Sequence, residues 1–187
     1  MVTVGVFALQ GDVSEHVKIC LRLGCAVKLV RNPSDLVGAD RLIIPGGEST
    51  TFGKLATRCG LDAEIKRLAC EGMPMFGTCA GMIMMGKSID GYPDQPTWGI
   101  MDITTSRNAY GRQLQSHITD IEIEGIGSVS VAFIRAPIIT SVGKGVQILA
   151  KDSASDIVCA KENSNLVASF HPEITGDVRV HEMFMRL

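Results

Sequence analysis

The sequence predicts an α/β protein with a mostly parallel, doubly wound sheet, helices on both faces of that sheet and a small antiparallel portion. Three observations lead to this prediction. Short apolar runs alternate with helix-like segments over the first half of the chain, and this alternation is typical of parallel strands joined by helices. The 20 glycines suit the tight turns between strands and helices. Shorter strand-like runs follow one another in the second half.

The first half of the chain divides into apolar runs and helix-like segments. Residues 2–9 are almost continuously apolar, as in a strand that is covered on both faces. Strands are expected at residues 2–9, 26–30, 42–44 and 73–76, and helices at about residues 12–23, 50–59 and 61–70. A glycine follows each of these helices, at positions 24, 60 and 72, and glycine is common just past a helix C-terminus.

The pattern changes after a loop at residues 90–96. Short β-like runs are expected at residues 99–104, 118–122, 128–134, 146–151, 157–161 and 166–170. Their hairpin-like spacing indicates an antiparallel portion beside the parallel sheet. Residues 176–187 are expected to form a closing helix. Since no repeat, linker or low-complexity tract interrupts the chain, residues 1–187 are expected to form a single domain.

Charge and composition exclude several functional classes. The chain carries 18 Lys and Arg against 20 Asp and Glu, so neither a nucleic-acid nor a membrane-surface partner is expected. No apolar run reaches the roughly 18 residues of a transmembrane helix, and residues 1–9 lack the basic region of a signal peptide. The six cysteines show no C-x-x-C pair and no metal-like spacing with the four histidines. We therefore expect no metal site and a reducing, cytoplasmic location.

The most informative stretch is the turn Gly77-Thr-Cys79-Ala-Gly81, which follows the fourth strand. Its form, G-x-C-x-G, places a nucleophile on a sharp strand-to-helix turn, as G-x-S-x-G does for serine. Gly77 and Gly81 let the strand and the helix approach closely, and Cys79 is expected to adopt a strained backbone conformation. The alternative is that Cys79 is one more buried cysteine of an apolar run.

A second candidate follows the last strand, at His171-Pro172-Glu173. Proline biases the residue before it toward extended chain, in which residues i and i+2 point to the same side. His171 and Glu173 are therefore expected to converge, with the carboxylate orienting the imidazole as in a catalytic triad. The alternative is a strand-end histidine beside an exposed glutamate. The pattern leaves open whether positions 79 and 171 meet.

The third candidate is the loop Pro45-Gly-Gly-Glu-Ser49, which follows the third strand. Two successive glycines free backbone N–H groups to point at a ligand. The N–H of Gly47, together with that of Ala80 after the nucleophile, is suited to form an oxyanion hole. The alternative is an ordinary loop in which Ser49 or Thr50 caps the next helix.

The three motifs G-T-C-A-G, F-H-P-E and P-G-G-E-S-T together resemble those of the class I, triad-type glutamine amidotransferases. More narrowly, the chain resembles the glutaminase subunits of pyridoxal 5'-phosphate synthase over nearly its whole length. The segments that carry the resemblance are residues 5–12, 45–51, 106–113, 133–137 and 170–175. The R-N-A-Y-G-R-Q and I-R-A-P stretches are the most restrictive of these.

The resemblance implies a role for each matching position. Cys79 would be the nucleophile, and His171 and Glu173 would complete the triad. The glutamine-binding residues would be Gly47, Glu48, Ser49, Arg107, Ile134 and Arg135, of which Gly47 would also form part of the oxyanion site. Gln10 would lie near the active site, at the interface with the synthase subunit. The resemblance further implies a large hetero-oligomer in which this subunit holds no cofactor and becomes competent when the synthase binds.

The chemistry of free glutamine agrees with part of this assignment. Arg107 or Arg135 is suited to pair with the α-carboxylate, and Glu48 with polar groups of the substrate. Each could equally form an ordinary surface ion pair, and Arg112 could be structural or interfacial. The remaining histidines have no carboxylate at a matching spacing and are assigned no role; they are His16, His117 and His181.

The resulting hypothesis is a glutaminase that hydrolyses L-glutamine to L-glutamate and ammonia through a thioester on Cys79. The ammonia would pass to a synthase subunit for pyridoxal 5'-phosphate biosynthesis. The nearest alternative is the glutaminase subunit of another amidotransferase, such as imidazole glycerol phosphate synthase of the histidine pathway. A cysteine peptidase or chaperone of related fold is less favoured, because the oxyanion loop and two arginines suit a free amino acid. A catalytically dead binding module is disfavoured by the intact triad pattern.

Overall fold

The computed structural model of the protein describes residues 1–107 and 116–187. Its strands are β1 (Thr3–Phe7), β2 (Ala26–Val30), β3 (Arg41–Ile44), β4 (Met75–Thr78), β5 (Gly86–Ile89), β6 (Met101–Ser106), β7 (His117–Ile123), β8 (Gly127–Phe133), β9 (Ile138–Val142), β10 (Gln147–Lys151), β11 (Ile157–Glu162) and β12 (Asn165–Ala168). Its α-helices are α1 (Val13–Arg22), α2 (Ser49–Cys59), α3 (Leu61–Cys70), α4 (Ala80–Met85), α5 (Pro172–Thr175) and α6 (Arg179–Met185), and a short 3-10 helix covers Pro33–Leu36.

One large sheet runs through the molecule in the order β2-β1-β3-β4-β12-β11-β9-β6-β5, and β10 pairs with β11. The five strands from β2 to β12 are mutually parallel. Beyond β12 the sheet continues through antiparallel pairings of β11 with β12, β9 and β10, and of β6 with β9. The hairpin of β7 and β8 forms a separate antiparallel sheet.

Apolar side chains pack on both faces of the sheet, because alternate residues of a strand point to opposite sides. Val6 of β1 belongs to a buried cluster with Cys20 of α1 and Phe184 of α6. Phe7, the next residue, belongs to the opposite cluster, where its ring lies 5.0 Å from that of Phe52 in α2. Helices therefore cover both faces, and the α/β fold class with its antiparallel portion is confirmed.

The expected elements of the parallel half are found with small shifts of their ends. The helix boundaries at Gly60 and Gly24 follow from glycines in the left-handed conformation, with φ of 78° and 74°. The fourth strand lies two residues later than expected, over Met75–Thr78. No helix of the described residues is long and apolar enough to cross a membrane.

Three features of the second half differ from expectation. Strands β5 and β9 were not predicted. The sequence of β5, Gly-Lys-Ser-Ile, has no strand pattern and becomes a strand through pairing with β6, whereas β9 pairs with both β6 and β11. The expected strand at residues 166–170 ends at Ala168, since His171 instead forms an isolated bridge with Ala132 of β8. The closing helix is divided into α5 and α6, with Gly176 at φ 75° between them.

Candidate active site

The candidate site lies at one edge of the parallel sheet, where three neighbouring strands end together. The register pairs Ile44 with Gly77 and Thr78 with Ala168, so β3, β4 and β12 end at the same level. The residues that follow them are the glycine loop after β3, Cys79 after β4 and His171 after β12. In open α/β sheets, ligands bind beyond the carboxyl ends of the strands. The topology therefore brings the three sequence motifs to one place.

Cys79 occupies the turn between β4 and α4 in the strained conformation that its motif predicts, with φ 49° and ψ −105°. Its N–H donates to the carbonyl of Ala168 (2.8 Å), which ties the turn to β12. The Sγ atom lies 3.9 Å from the carbonyl oxygen of Ile134, and the residue is 8% exposed. A Cβ on Gly81 would lie 2.1 Å from the carbonyl oxygen of Ile44, so the close approach of helix and strand requires glycine there.

His171 lies beside Cys79, and its Nδ1 atom is 2.8 Å from Oε1 of Glu173. The backbone holds the ring in place, because the His171 N–H donates to the carbonyl of Ala132 (2.8 Å) in β8. The expected convergence of positions 171 and 173 is thus observed. Because Glu173 takes Nδ1, the Nε2 atom is the ring nitrogen left to face the thiol. Cys79 and His171 line the same cavity, and Cys79 is one of the groups that raise the pKa of His171, so the two positions meet at one site.

The charges of the three side chains are strongly coupled. Burial lowers the pKa of His171, but hydrogen bonds with Cys79 and Glu173 outweigh it and raise the pKa to about 10. Burial raises the pKa of Glu173, but contacts with His16 and His171 lower it well below the usual range of a carboxyl group. At neutral pH the site therefore holds an imidazolium next to a buried carboxylate.

His16 and His181 were assigned no role from the sequence, and the structure places them in one buried group of contacts with Glu173. Both side chains are fully buried behind the triad carboxylate. His16 Nε2 lies 3.3 Å from Oε1 of Glu173 and 3.1 Å from Oγ1 of Thr78, and its Nδ1 lies 2.9 Å from Nε2 of His181. The sequence did contain a signal for His16, because it precedes the buried residues Ile19 and Cys20 by three and four positions and so lies on the apolar face of α1.

The glycine loop after β3 contacts both His171 and the loop after β1. A Cβ on Gly46 would lie 2.2 Å from Cε1 of His171, so only glycine lets the ring pack against this loop. Gln10 Oε1 accepts a hydrogen bond from the N–H of Glu48 (3.0 Å), and a Cβ on Gly47 would lie only 2.7 Å from this oxygen. Gly47 and Ala80, the expected oxyanion donors, both line the same cavity as Cys79.

Glu48 caps helix α2, which corrects the alternative that Ser49 or Thr50 would do so. Its carboxylate accepts hydrogen bonds from the backbone N–H groups of Thr50 (3.0 Å) and Thr51 (2.7 Å). Partial burial raises the pKa of Glu48, but the hydrogen bonds from Thr51 and Thr50 outweigh it and lower the pKa to about 2. Ser49 is buried and its Oγ accepts a hydrogen bond from Nε2 of Gln95 (3.0 Å).

Arg107 is held in the wall of the site by several neighbours. Its guanidinium donates to Oε1 of Gln95 and to Oγ1 of Thr50 (3.3 Å), and lies 3.4 Å from Oε1 of Glu48. It also stacks over the ring of Tyr92, 4.9 Å from the centroid. Gln95 and Tyr92 belong to the loop at residues 90–96 and carry no motif, so sequence reasoning did not identify them.

Arg135 and Ile134 reach the site from the segment that follows β8. Arg135 is exposed and has φ 46°, an uncommon conformation for a residue with a side chain. Both residues line the cavity with Cys79, and so do Arg107 and Gln10. Arg112, together with the rest of the R-N-A-Y-G-R-Q stretch beyond Arg107, lies outside the described residues.

The cavity that these residues enclose measures about 440 Å³, within the range of small-molecule sites. One group in it has metal-ligand chemistry, since Asp12, His171 and Glu173 place ligand atoms within 4.8 Å of one another. Asp12 Oδ2 lies 3.6 Å from Nδ1 of His171. A cation there would displace the proton that joins His171 to Glu173. The hydrogen-bonded arrangement therefore suits general acid–base chemistry.

Similarity to known proteins identifies the family of the chain. The model of the SNO glutamine amidotransferase family matches residues 6–187. The chain belongs to this family. Its members include a relative from Thermus thermophilus, named pyridoxal 5'-phosphate synthase subunit PdxT, which is 47% identical over 98% of this chain and 96% of its own length. A relative of the same name from Herpetosiphon aurantiacus is 49% identical over 99% of this chain and its own full length, 100%.

Solved structures support the same family placement. The crystal structure of a glutamine amidotransferase superposes with a TM-score of 0.93 and 46% identity, and covers 98% of this chain and 97% of the other. The structure of PurLQS from Thermotoga maritima superposes with a TM-score of 0.70 at 15% identity, over 98% of this chain and 97% of the other. The second similarity shows a shared fold alone.

Proposed function

We propose that this chain is the glutaminase subunit of a pyridoxal 5'-phosphate synthase. It hydrolyses L-glutamine to L-glutamate and ammonia and supplies the ammonia to a synthase subunit. The observation that supports this most directly is that Cys79 and His171 line one cavity and that the buried Glu173 lies 2.8 Å from Nδ1 of His171. The names of the relatives from Thermus thermophilus and Herpetosiphon aurantiacus indicate the synthase that receives the ammonia.

The first half of the reaction is the attack of Cys79 Sγ on the side-chain amide carbon of glutamine, with the proton of the thiol taken up by His171. The carbonyl oxygen becomes an oxyanion, which the N–H groups of Gly47 and Ala80 are placed to bind. Collapse of this intermediate breaks the C–N bond, and His171 gives its proton to the leaving ammonia. Once Sγ is bonded to carbon, it no longer makes the contact that helps to raise the pKa of His171, so the proton leaves His171 more readily at this stage.

The second half of the reaction hydrolyses the glutamyl thioester. Neutral His171 takes a proton from a water molecule, which attacks the thioester carbon. The C–S bond then breaks, glutamate is released, and His171 returns the proton to the Cys79 sulfur. Glu173 holds Nδ1 throughout, so that Nε2 faces the reacting atoms in both halves. Loss of one oxyanion donor typically costs roughly 3–4 kcal/mol of barrier, so the setting of the Gly46–Gly47 peptide would control the rate.

The remaining wall of the cavity suits a free amino acid. Arg135 is exposed at its rim and is suited to bind the α-carboxylate of glutamine. Arg107 is anchored by Glu48 and Gln95, so it offers a fixed positive charge in the wall of the same cavity. The carboxylate of Glu48 caps α2 and pairs with Arg107. Its main contribution to substrate binding is therefore to hold the glycine loop after β3 in place.

Gln10 is the proposed link to the synthase. It is exposed, and its Oε1 accepts the N–H of Glu48 in the loop that carries the oxyanion donor Gly47. A partner that engages Gln10 would therefore act directly on that loop. The histidine-pathway alternative is not favoured by the two relatives, whose names refer to pyridoxal 5'-phosphate synthase.

The experiment is alkylation by 6-diazo-5-oxo-norleucine, an electrophile that resembles glutamine, followed by peptide mass spectrometry. Cys79 is expected to be labelled, and excess glutamine is expected to protect it. Cys70 is the matched control, because it is an exposed cysteine outside the cavity. Cys70→Ala is expected to be labelled normally at position 79, whereas Cys79→Ala is expected to lose both labelling and glutaminase activity.

The partner is tested by measuring glutamate release with a pyridoxal 5'-phosphate synthase subunit and with the histidine-pathway synthase subunit. Stimulation by the first alone is expected. Stimulation by the second alone, or full activity of Cys79→Ala, would contradict the proposal.

A further inference from the structure

We infer that His16 is a positioning residue for the reaction proposed above: from behind the triad, it orients the buried carboxylate of Glu173. His16 lies on α1, more than 150 residues before Glu173 in the sequence, and has no contact with the cavity that would hold glutamine. Its effect on the reaction therefore passes through Glu173 and His171. The inference rests on the proposed function, because it assumes that Glu173 orients His171 during glutamine hydrolysis.

The carboxylate of Glu173 has few partners for a fully buried charge. Both nearby ring nitrogens, Nδ1 of His171 (2.8 Å) and Nε2 of His16 (3.3 Å), approach the same oxygen, Oε1. The other oxygen, Oε2, is buried without a hydrogen-bond partner among the described residues. A buried carboxylate is costly unless donors compensate it. Without His16, one histidine would remain to hold both the charge and the orientation of Glu173.

The proton positions along this chain of groups follow from the capacities of the ring nitrogens. Burial and the neighbouring His16 lower the pKa of His181 to about 3, so His181 is neutral. Its Nδ1 has no hydrogen-bond partner among the described residues. A buried donor is costly to leave unpaired, so the proton of His181 lies on Nε2 and is donated to Nδ1 of His16.

The consequence is that His16 carries its own proton on Nε2, the nitrogen that faces Glu173 and Thr78. His181 thus donates to His16, and His16 directs its own N–H toward the carboxylate. His181 fixes the tautomer of His16, and His16 fixes the position of Oε1. Removal of a group that orients a functional ligand through a hydrogen bond typically costs about 10- to 100-fold in activity, by analogy with the outer shell of metal sites.

The test compares two substitutions that separate the two nitrogens of His16. The amide nitrogen of His16→Gln can occupy the position of Nε2 and keep a donor near Glu173. In His16→Asn the amide reaches only the position of Nδ1, so the contact with His181 remains and the donor to Glu173 is lost. Both variants are compared as full chains with the synthase subunit present, and His117→Asn, at an exposed histidine, is the control.

In His16→Asn, kcat is expected to fall about 10- to 100-fold. In His16→Gln, kcat is expected to stay close to that of the unmodified chain, and the KM for glutamine is expected to be unchanged in both variants. Equal kcat values in the two variants, or a rise in KM in place of the fall in kcat, would overturn the inference. Thermal unfolding of each variant is measured alongside, because a purely structural role would lower stability without this difference between Gln and Asn.

If His16→Asn does not fold, the pair His181→Gln and His181→Phe decides the question. His181→Gln keeps a donor to Nδ1 of His16, whereas His181→Phe removes it and releases the tautomer of His16. A lower kcat is expected for His181→Phe alone, and equal kcat values would overturn the inference. If the unmodified chain shows no glutaminase activity with the synthase subunit, the proposed function itself fails. That outcome differs from equal kcat values in the paired variants, which would overturn only the role of His16.

Discussion

At the scale of single residues, the site is organised around the buried carboxylate of Glu173. Glu173 is 3% exposed, and its nearest ring nitrogen is Nδ1 of His171 at 2.8 Å. A buried carboxylate without a strong donor would be neutral, whereas here contacts with His16 and His171 keep it ionised against the effect of burial. The charge of Glu173 in turn supports the imidazolium of His171, whose pKa is raised to about 10.

Glu173→Gln tests this dependence at the residue itself. The amide is nearly isosteric, but it removes the charge and can present a donor to Nδ1, which favours the wrong tautomer of His171. We expect kcat for glutamine hydrolysis to fall by about 10³- to 10⁴-fold, as for the corresponding change in other triads, with KM nearly unchanged. Steady-state kinetics with the synthase subunit measure both values.

The matched control for that substitution is Glu122→Gln, at an exposed position of β7. This variant is expected to keep the kcat of the unmodified chain. A Glu173→Gln enzyme with unchanged kcat would show that the carboxylate is not needed to orient His171.

At the scale of elements, the nucleophile turn depends on how closely a short helix approaches a strand. Helix α4 has six residues, all buried, and it starts directly after the strained residue Cys79. The carbonyl oxygen of Ile44, the last residue of β3, fills the space that a Cβ on Gly81 would need. The conformation of Cys79 is therefore maintained by the packing of β3 and α4 on either side of it, as strained backbone at functional sites generally requires.

Gly81→Ala is expected to push α4 away from β3. The added Cβ would lie 2.1 Å from a backbone oxygen, which cannot move without the strand. We expect a loss of about 1–3 kcal/mol of unfolding free energy, typical of overpacking, and a lower rate of Cys79 alkylation. Urea denaturation and the alkylation rate measure the two effects.

Gly53→Ala in α2 is the matched control, because its Cβ would make only ordinary contacts of 3.6 Å or more. Alanine is a better helix former, so this variant is expected to gain up to about 1 kcal/mol. Equal stability of the two variants would contradict the role assigned to the contact between Gly81 and Ile44.

At the scale of the whole molecule, the parallel sheet gathers groups from distant parts of the chain. Residues after β1, β3, β4, β8 and β12 all line one cavity, although more than 160 positions separate Gln10 from His171. The same packing buries His16 and His181 between α1, β4 and α6. Because folding changes the proton affinity of the buried histidines, the stability of the whole chain depends on pH.

Two histidines contribute to this dependence with opposite signs. Unfolded His181 binds a proton below its ordinary pKa of 6.5, but folded His181 stays neutral down to a pKa of about 3, so stability is lost as the pH falls from 6.5 toward 3. Folded His171 keeps its proton up to a pKa of about 10, so its contribution is fully present below pH 6.5 and is lost as the pH rises toward 10. The free energy of unfolding is therefore expected to be greatest near pH 6.5.

Urea denaturation between pH 4.5 and 9 measures this profile. The lower limit is set at pH 4.5 because the lowered pKa of Glu173 affects stability only as the pH falls below that value. His181→Gln is expected to flatten the acid side. Cys79→Ala is expected to flatten the alkaline side, because it removes one partner that raises the pKa of His171. A profile that stays level on both sides would contradict the expected contributions of the two histidines.

The fold class and the order of the parallel half were predictable because they depend on local patterns. Continuous apolar runs, glycines at helix ends and G-x-C-x-G at a strand end each reflect constraints that act within a few residues. Strand β5 was not predictable in this way, because it is a strand only through its pairing with β6. The same holds for Gln95 and Tyr92, because their contacts with the guanidinium of Arg107 form only in the folded chain.

The chemical groups of the site could be recognised in the amino-acid sequence: a cysteine on a strand-to-helix turn, a histidine and a glutamate two residues apart, and a glycine loop after a strand. Tertiary structure alone decided that Cys79 and His171 meet, since the ends of β4 and β12 are brought level only by sheet pairing. It also decided that His16 supports Glu173. That contact joins α1 to the start of α5, and no local pattern specifies which buried groups two distant segments place side by side.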